Sequence, residues 1–209
     1  MIANIYRKQL KAVSRFSSQK DVRYYLNGVL LQSSTLQSRL VATDGHAVAV
    51  CRADAKDENQ GAFDIIIPNE AVKAILAIKA NKYQIDEPIV ITQSGKEYRA
   101  DYAGQSILFT AIDGKFPDYQ RVIPTSCDGT AAHIDPDLLV RCKRAAEDLG
   151  ISSKGYYDFV QGGQHGCSVC TIGSDFVAAI MPMRQDPISA SDASWARDAL
   201  PVHGFAIAA

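Results

Sequence analysis

A unit made of one helix and several strands recurs along the chain, and this repetition limits the folds that the sequence can adopt. In three places a short apolar run is followed by a polar residue and then by apolar residues at helical spacing. The short runs predict strands at Ile5, Ile67 and Ile134, so the units are spaced by 62 and then 67 residues. The helices are predicted within residues 4–16, 65–78 and 133–150.

The third helix has clear start and stop signals. Asp135 can accept hydrogen bonds from the first helical amides, and Pro136 suits the first turn because it has no amide hydrogen to satisfy. Gly150 can end the helix, since glycine adopts the left-handed conformation that a helix end needs. These signals predict a helix that begins after residue 135 and ends before residue 150.

The segments between the helices predict strands joined by tight turns. The turn signals are the pairs Asn27-Gly28, Asp44-Gly45, Ser94-Gly95 and Gly162-Gly163. The strands are predicted within residues 22–32, 38–44, 46–52, 63–68, 88–94, 97–103, 105–112, 156–161, 167–173 and 176–183. Each unit is therefore a helix followed by three or four antiparallel strands, and about three such units predict an α+β fold.

The distribution of charge favours contact with a polyanion more than the net charge does. The net charge of −1 provides no global basic field. The first helix, however, carries only basic charges on its outer face, and the second carries lysines against the single Glu70. We expect these two faces to share a surface that contacts a polyanion. The basic residues are Arg7, Lys8, Lys11, Arg15, Lys73, Lys79 and Lys82.

Composition also bounds the environment of the protein. No apolar run reaches the ~18 residues that a membrane-spanning helix needs. The five cysteines have no framework spacing, which favours reduced thiols in a cytosol. We expect no membrane association.

Two patterns that carry chemistry elsewhere give weak signals in this chain. Cys167 and Cys170 lie three apart in a predicted strand, so they should point to opposite faces, and no second pair follows at zinc-site spacing. Thr43, Asp44 and His46 are residue types used by hydrolases, but no nucleophile elbow, phosphate loop or paired-carboxylate pattern accompanies them. We expect no metal, no cofactor and no catalysis.

Five motifs, in order along the chain, resemble the bacterial sliding clamp, the beta subunit of DNA polymerase III. They are "QKDVRYYLNGVLLQ", "RLVATDGHAVAVC", "IIIPNEAV", "AIDGKFPDYQRVIP" and "MPMR". By this resemblance residues 1–125 are similar to the clamp's middle domain, and residues 126–184 to half of its third domain. Residues 185–209 form a C-terminal extension. The resemblance implies the DNA-clamp fold.

The resemblance implies a non-enzymatic replication factor that gives processivity to a bacterial cytoplasmic polymerase, with the chemistry belonging to its partners. Basic helices would line a hole around duplex DNA held without sequence specificity. By position, Arg23, Tyr24 and Tyr25 match clamp residues near the DNA, and they join the basic residues above as expected DNA-facing residues.

The family also has a cleft between its middle and last domains that receives short apolar peptides from polymerases, the clamp loader and repair enzymes. Methionine and small aliphatic residues suit such an adaptable pocket. Carried over by position, the cleft here would use Leu26, Thr43, Gly45, His46, Val48, Pro124, Ile180, Met181, Pro182, Met183 and Arg184.

The chain departs from the family pattern in several places. It lacks matches to the clamp's first domain and to the first half of its third domain, and Ala47 stands where the family commonly has arginine. We expect a homo-oligomer, in which four copies would supply the twelve half-domains of a ring. The alternative is an adaptor or decoy that binds clamp motifs without holding DNA.

The extension after Arg184 has its own pattern. Residues 189–200 predict a short helix with Trp195 as its large aromatic anchor, followed by the apolar residues 201–209. Trp195 and Leu200 could cover the cleft or an exposed sheet edge, and disorder of the whole extension is the other alternative.

Overall fold

The computed structural model describes residues 2–34, 37–53, 61–151 and 157–184. Its strands are β1 (Ile2–Ile5), β2 (Gly28–Ser33), β3 (Ser38–Thr43), β4 (Ala47–Ala53), β5 (Phe63–Pro68), β6 (Ile89–Ser94), β7 (Glu97–Tyr102), β8 (Gln105–Phe109), β9 (Tyr157–Val160), β10 (Ser168–Ile172) and β11 (Phe176–Ile180). Its helices are α1 (Arg7–Ser14), α2 (Asn69–Ala77) and α3 (Pro136–Asp148), with 3₁₀ turns at Tyr24–Leu26 and Tyr119–Val122. The predicted helix in residues 189–200 lies outside the described residues.

The strands form two antiparallel sheets. One has the order β1-β6-β7-β8 and the other the order β5-β2-β3-β4-β11-β10-β9. The first two units exchange strands: β1 leads into α1 but pairs with β6 after α2, and β5 leads into α2 but pairs with β2 after α1. The third unit joins the larger sheet where β11 pairs with β4. The α+β fold with antiparallel sheets is confirmed.

The predicted strand at Ile134 is wrong. Residues 126–135 contain no strand, and Ile134 packs half-buried against the core. In the first two units the strand before each helix pairs with a strand that follows the other helix. The described residues contain no such strand for the segment before α3. An apolar segment with no ladder to join stays irregular.

The predicted strand 22–32 is also shorter than expected, since β2 begins only at Gly28. The Asp21 carboxylate accepts hydrogen bonds from the Arg23 amide at 2.8 Å and from the Arg23 guanidinium. The Asn27 side chain bonds to the backbone of Asp21 from the other side. These local bonds turn the chain and compete with a strand ladder.

The three helices share one side of the molecule, and α1 packs against both α2 and α3. The α3 signals are confirmed: Asp135 caps the helix by accepting from the Asp137 amide at 2.9 Å, and Gly150 has a φ of +78°. Asp148, at the end of α3, pairs with Lys11 and Arg15 of α1. The main core lies between the three helices and the two sheets, and residues from all of them contribute to it.

The other face of the larger sheet is covered by the segment between β8 and α3. Tyr119 and Phe116 of this segment pack over Leu30, Val41 and Ala179 in a second, smaller core. The Tyr119 hydroxyl bonds to the Gln32 side chain at 2.7 Å, which fixes the segment to β2. Among the described helices, none has the length and apolarity to cross a membrane.

Ile180→Ala tests the join between the third unit and the rest. Ile180 is fully buried in the main core, so we expect the free energy of unfolding to fall by about 2–5 kcal/mol. Met181→Ala, one residue later at a site that is 49% exposed, is the matched control and should change it by less than about 0.5 kcal/mol. Urea denaturation measures both, and equal effects would contradict the burial of Ile180.

Candidate functional site

An apolar cavity of about 190 Å³ lies on the outer face of the larger sheet, where β4 meets β11. Its apolar walls are Leu26, Ala47, Val48, Tyr119, Ala179 and Met181. Polar groups stand at its edge, contributed by Arg23, Thr43, His46 and Asp118. The volume is below the ~300–1,000 Å³ of typical small-molecule pockets, so it suits one or two apolar side chains of a longer segment.

Strand geometry explains why these side chains share the cavity. Val48 and Ala179 are opposite each other in the β4–β11 ladder. Both belong to the second, smaller core on the outer face of the sheet, which we call the outer core. Met181 follows β11 and keeps its alternation, because its amide bonds to the His46 carbonyl at 2.9 Å. Leu26 enters from the 3₁₀ turn that precedes β2. The wall is therefore shared between the first and third units.

The turn at residues 43–47 forms one side of the cavity. The Thr43 hydroxyl donates to the Ala47 carbonyl at 2.7 Å and accepts from the Gly45 amide at 3.1 Å. Gly45 has a φ of +93°, and a β-carbon there would stand 3.0 Å from the Arg23 guanidinium. Glycine is therefore required both by the backbone conformation and by the close approach of Arg23. The hairpin turn predicted at Asp44-Gly45 is confirmed.

Asp44 ties this turn to the third unit. Its carboxylate accepts from the amides of His46 and Ala47 at 2.9 and 3.1 Å, and from the Arg141 guanidinium of α3 at 2.5 Å. Burial by itself would raise the pKa of Asp44, but the Arg141 bond and the two amides outweigh it and lower that pKa. The negative charge of Asp44 is thus maintained by a cation from the other unit.

Arg23 is held at the edge of the cavity by a second acidic group. Its guanidinium pairs with Asp21 at 2.7 Å and bonds to the Asp44 carbonyl. The pKa of Asp21 is lowered to about 2, chiefly by the hydrogen bond from the Arg23 side chain. Since Asp21 and Asp44 both hold it, Arg23 is positioned beside the cavity opening.

The segment after β11 runs along the cavity and then leaves it. Met181 lines the cavity, and Pro182 is half-buried beside it. The Met183 amide bonds to the His133 carbonyl at 2.7 Å, which fixes the chain two residues beyond Met181. Met183 and Arg184 are exposed. Two contacts on the backbone, at His46 and His133, therefore set the path of this segment.

The structure brings together six of the eleven residues predicted for the cleft: Leu26, Thr43, Gly45, His46, Val48 and Met181. The assignment of Ile180 to the cleft is corrected, because its side chain is buried on the opposite face of the sheet. Pro124 lies in a neighbouring groove with Ile123 and Thr125. Pro182, Met183 and Arg184 do not line the cavity itself; they lie in the segment that leaves it.

Several cavity residues were not predicted for the cleft. Ala179 could have been found, because alternation along a strand puts it on the same face as Met181. Tyr119 and Val122 belong to a quoted motif but lie in a 3₁₀ turn, whose packing depends on distant strands. Pro117 and Asp118 also line the cavity, and neither charge nor periodicity indicates their position. Cys167 lines it from the face opposite Cys170, in agreement with the alternation along the predicted strand.

The residues predicted to face DNA fall into two groups. Lys8, Lys11 and Lys73 are exposed on the helical side, with Lys79 and Lys82 in the loop after α2. The other group, Arg23, Tyr24 and Tyr25, lies at the cavity instead: Arg23 and Tyr25 line it, and the ring of Tyr24 packs edge-on against Tyr25.

Three of the basic side chains on α1 make contacts within the protein. Arg7 donates to the Leu76 carbonyl of α2 at 2.5 Å. Lys11 lies 2.7 Å from Asp148, which also pairs with Arg15 and is almost fully buried. Burial by itself would raise the pKa of Asp148, but Arg15 and Lys11 outweigh it and lower that pKa. The basic surface is thus partly neutralised by α3.

The two cysteines considered for a metal site face opposite sides of β10, as predicted. Cys170 belongs to the main core, whereas Cys167 packs on the outer core and lines the cavity. Within the described ranges, no group of three or more His, Cys, Asp or Glu side chains is arranged to hold a metal ion.

Comparison with known proteins places most of the chain in one family. The family model described as "DNA polymerase III beta subunit, central domain" matches residues 3–118. The beta sliding clamp of Pseudomonas aeruginosa is 37% identical over 122 residues, and that of Escherichia coli K12 is 33% identical over 122 residues. Each match covers 58% of this chain and 32% of the relative, so the chain spans about a third of the curated relatives it matches.

Solved structures show the same fold over more of the chain. The DNA polymerase III subunit beta of Pseudomonas aeruginosa aligns with a TM-score of 0.68 at 22% identity, covering 88% of this chain and 66% of that one. The beta subunit of Thermotoga maritima aligns with a TM-score of 0.68 at 13% identity, covering 89% and 66%. Both alignments extend well beyond the residues that the family model matches.

Asp44→Asn tests the bond between the turn and α3. We expect the free energy of unfolding at neutral pH to fall by about 1–3 kcal/mol, because Arg141 loses its charged partner. The folded pKa of Asp44 lies below the unfolded one, so this stabilisation is present above about pH 4 and is lost as the pH falls through the folded pKa.

Urea unfolding of both proteins at a series of pH values measures this difference. Asp113→Asn, at an exposed carboxylate outside the turn, is the matched control and should leave stability unchanged. A difference between wild type and Asp44→Asn that stays constant into strong acid would contradict the charged pair.

Proposed function

Since the chain belongs to the DNA polymerase III beta subunit family, we propose that it acts as a sliding-clamp-like replication factor. Its cavity binds a short apolar peptide carried by polymerases, the clamp loader or repair proteins. The observation that carries this proposal is the cavity at the β4–β11 junction, whose walls come from both the first and the third units.

The chemistry of the cavity supports a peptide ligand. Val48, Leu26 and Met181 offer an apolar surface, and methionine can adjust to different side chains. Arg23 and His46 stand at the edge, where they can donate hydrogen bonds to peptide carbonyls or carboxylates. A peptide places one or two apolar side chains in the cavity while its backbone stays at this polar edge.

Met181→Ala tests the peptide site. Fluorescence anisotropy of a labelled clamp-binding peptide from a bacterial polymerase measures the affinity. We expect the variant to bind roughly ten-fold more weakly, because truncating a side chain in the wall removes apolar contact. Leu108→Ala, at an exposed apolar residue of β8 far along the other sheet, is the matched control. Saturable binding that is equal in both variants would place the peptide elsewhere.

We place duplex DNA on the helical side. Lys8 and Lys73 are exposed there, and the helices of the first two units lie next to each other. Such contacts reach phosphates and carry no base readout, so binding is independent of sequence and weakens with salt. The family resemblance further supports a closed oligomer that encircles the duplex.

Lys8→Ala tests the helical surface. We expect a weaker affinity for duplex DNA, and a slope of log affinity against log salt that is smaller by about 1, because one phosphate contact is lost. Lys96→Ala, at an exposed lysine in the β6–β7 turn, is the matched control. Equal slopes for both variants would contradict DNA binding by the helices.

A circular DNA separates encirclement from simple binding. A closed assembly stays on a nicked circle in high salt and is released when the same DNA is linearised. Equal release from circle and linear DNA would show that no ring closes around it. A protein that binds the peptide and neither form of DNA would be an adaptor or decoy.

We also propose that the chain performs no chemistry itself and works in the bacterial cytoplasm beside its polymerase. Thr43, Asp44 and His46 are residue types used by hydrolases. Two of them, Thr43 and Asp44, hold the turn by hydrogen bonds to its backbone. Their role in the turn supports a binding site more than a catalytic one.

A further inference from the structure

We propose that two copies of this chain pair through the outer edge of β8, in an antiparallel ladder that is symmetric about Leu108. The strand β8 ends the smaller sheet, so this edge has no neighbouring strand among the described residues. The pairing deepens the proposed function, because it names one contact of the oligomer. It rests on that function only for its use, and its test needs neither DNA nor peptide, so each proposal can fail alone.

The chain itself contains a junction of this kind. The strands β4 and β11 are each the third strand after the helix of their unit, and they pair antiparallel. Residues of both strands contribute to the main core, so the helices lie on one side of that junction. The strand β8 is the third strand after α2 and therefore holds the same place in the second unit.

The other sheet edges are covered or buried. At the outer edge of β5, the Ile66 carbonyl accepts from the Ile112 amide at 2.9 Å. Just beyond β9, the Gln161 carbonyl accepts from the Gly129 amide at 3.1 Å. The strand β1 is buried along most of its length. Between described residues, no such loop contact reaches the outer edge of β8.

The sequence of β8 does not oppose pairing with another strand. Its residues, "QSILF", include no charged residue and no proline, the types with which natural edge strands prevent such pairing. The edge strand β9, by contrast, carries Asp158. Leu108 is 64% exposed, more than any other large apolar side chain on a described strand. An uncharged edge with an exposed leucine favours a second strand as its partner.

The turn before β8 determines which backbone groups face the free edge. Ala103 and Gly104 have φ values of +48° and +73°, which is typical of a two-residue type I′ hairpin. The residues on either side of such a turn, here Tyr102 and Gln105, exchange both backbone hydrogen bonds, and bonded pairs then alternate along the ladder. The amide and carbonyl of Leu108 therefore point away from β7 towards the free edge.

A second copy matches these groups when Leu108 lies opposite its own counterpart. The two leucines then exchange both backbone hydrogen bonds across a two-fold axis, and Ser106 of each copy lies opposite Thr110 of the other. Directly opposite residues of an antiparallel pair lie on the same face of the sheet, so each leucine covers the exposed apolar surface of the other.

Symmetry also brings opposite charges together. The axis is perpendicular to the sheet, so both copies have their helices on the same side. The helix α2 packs against β8 and runs antiparallel to its copy. Glu70, exposed in the first turn of one α2, then lies towards the end of the other, where Lys79 is exposed. Such complementary charges favour association of two copies in this orientation.

Sedimentation equilibrium of the full chain, without DNA or peptide, tests the contact. We expect a dimer that dissociates on dilution. Leu108→Lys should weaken dimerisation by at least about ten-fold, because two like charges would lie opposite each other at the axis. Val140→Lys, at a residue of α3 that is 42% exposed, is the matched control and should leave dimerisation unchanged. Far-ultraviolet circular dichroism checks that each variant keeps its fold.

Disulfide cross-linking with glutathione disulfide as oxidant tests the register. In a hydrogen-bonded antiparallel pair the Cα atoms are about 5.5 Å apart, a separation that a disulfide spans, so Leu108→Cys should cross-link to its copy. Ser106→Cys is the matched control: in this register its two copies are offset by four residues, or about 13 Å, and should not cross-link. The wild type, which has five cysteines of its own, gives the background.

Three results would overturn the proposal. The mass of a single chain at every concentration would show that copies do not pair. Dimerisation of Leu108→Lys equal to that of the wild type would place the contact elsewhere. Equal cross-linking of Leu108→Cys and Ser106→Cys would contradict the symmetric ladder. The peptide assay with Met181→Ala is independent of all three, so a failed dimer leaves the proposed peptide site untouched.

Discussion

The antiparallel ladder between β4 and β11 is the contact on which the rest of the structure depends. It pairs Ala47 to Cys51 with Ile180 to Phe176, so it joins strands that more than a hundred residues separate. The inner face of this junction contributes to the main core and the outer face to the cavity. Without the ladder, Ala179 and Met181 would not meet Val48. The candidate site is therefore a product of association between units and not of either unit alone.

The charged groups link the helical side to the cavity through α3. Its end is held to α1 by Asp148, and Arg141, two turns earlier, holds the turn at Asp44. These ion pairs also neutralise part of the basic surface, because Lys11 and Arg15 both pair with Asp148. In the described contacts, Lys8 and the lysines near α2 have no such acidic partner. A polyanion on this side would compete with the nearly buried carboxylate of Asp148 for Lys11 and Arg15. The cations that hold α3, Lys11 and Arg15, thus lie on the same side of the molecule as the lysines proposed to contact DNA.

Local signals predicted much of this fold. The helix α3 followed from its cap and its terminal glycine, and the hairpins followed from turn pairs, because both are determined within a few residues. Alternation along β11 would also have excluded Ile180 from the cleft. The misplaced strand at Ile134 shows the limit of such signals, since whether an apolar segment becomes a strand depends on a partner distant in sequence. The positions of Arg23 and Tyr25 also depend on residues distant in sequence or on tertiary packing. Arg23 is held at the cavity by Asp21 and Asp44, and Tyr25 packs against the outer core.

The pairing of β4 with β11 also constrains how copies of this chain could assemble. By its place in the repeat, β8 corresponds to β11, as the third strand after its helix. The strand β4 is the third after its helix as well, and β8 lies at an edge of the smaller sheet, so a copy of the β4–β11 contact between two chains would pair β8 with β8. Closed symmetry requires matching surfaces. A β8–β8 junction has two-fold symmetry and joins only two chains, so a ring built from the described strands needs a second junction at another sheet edge.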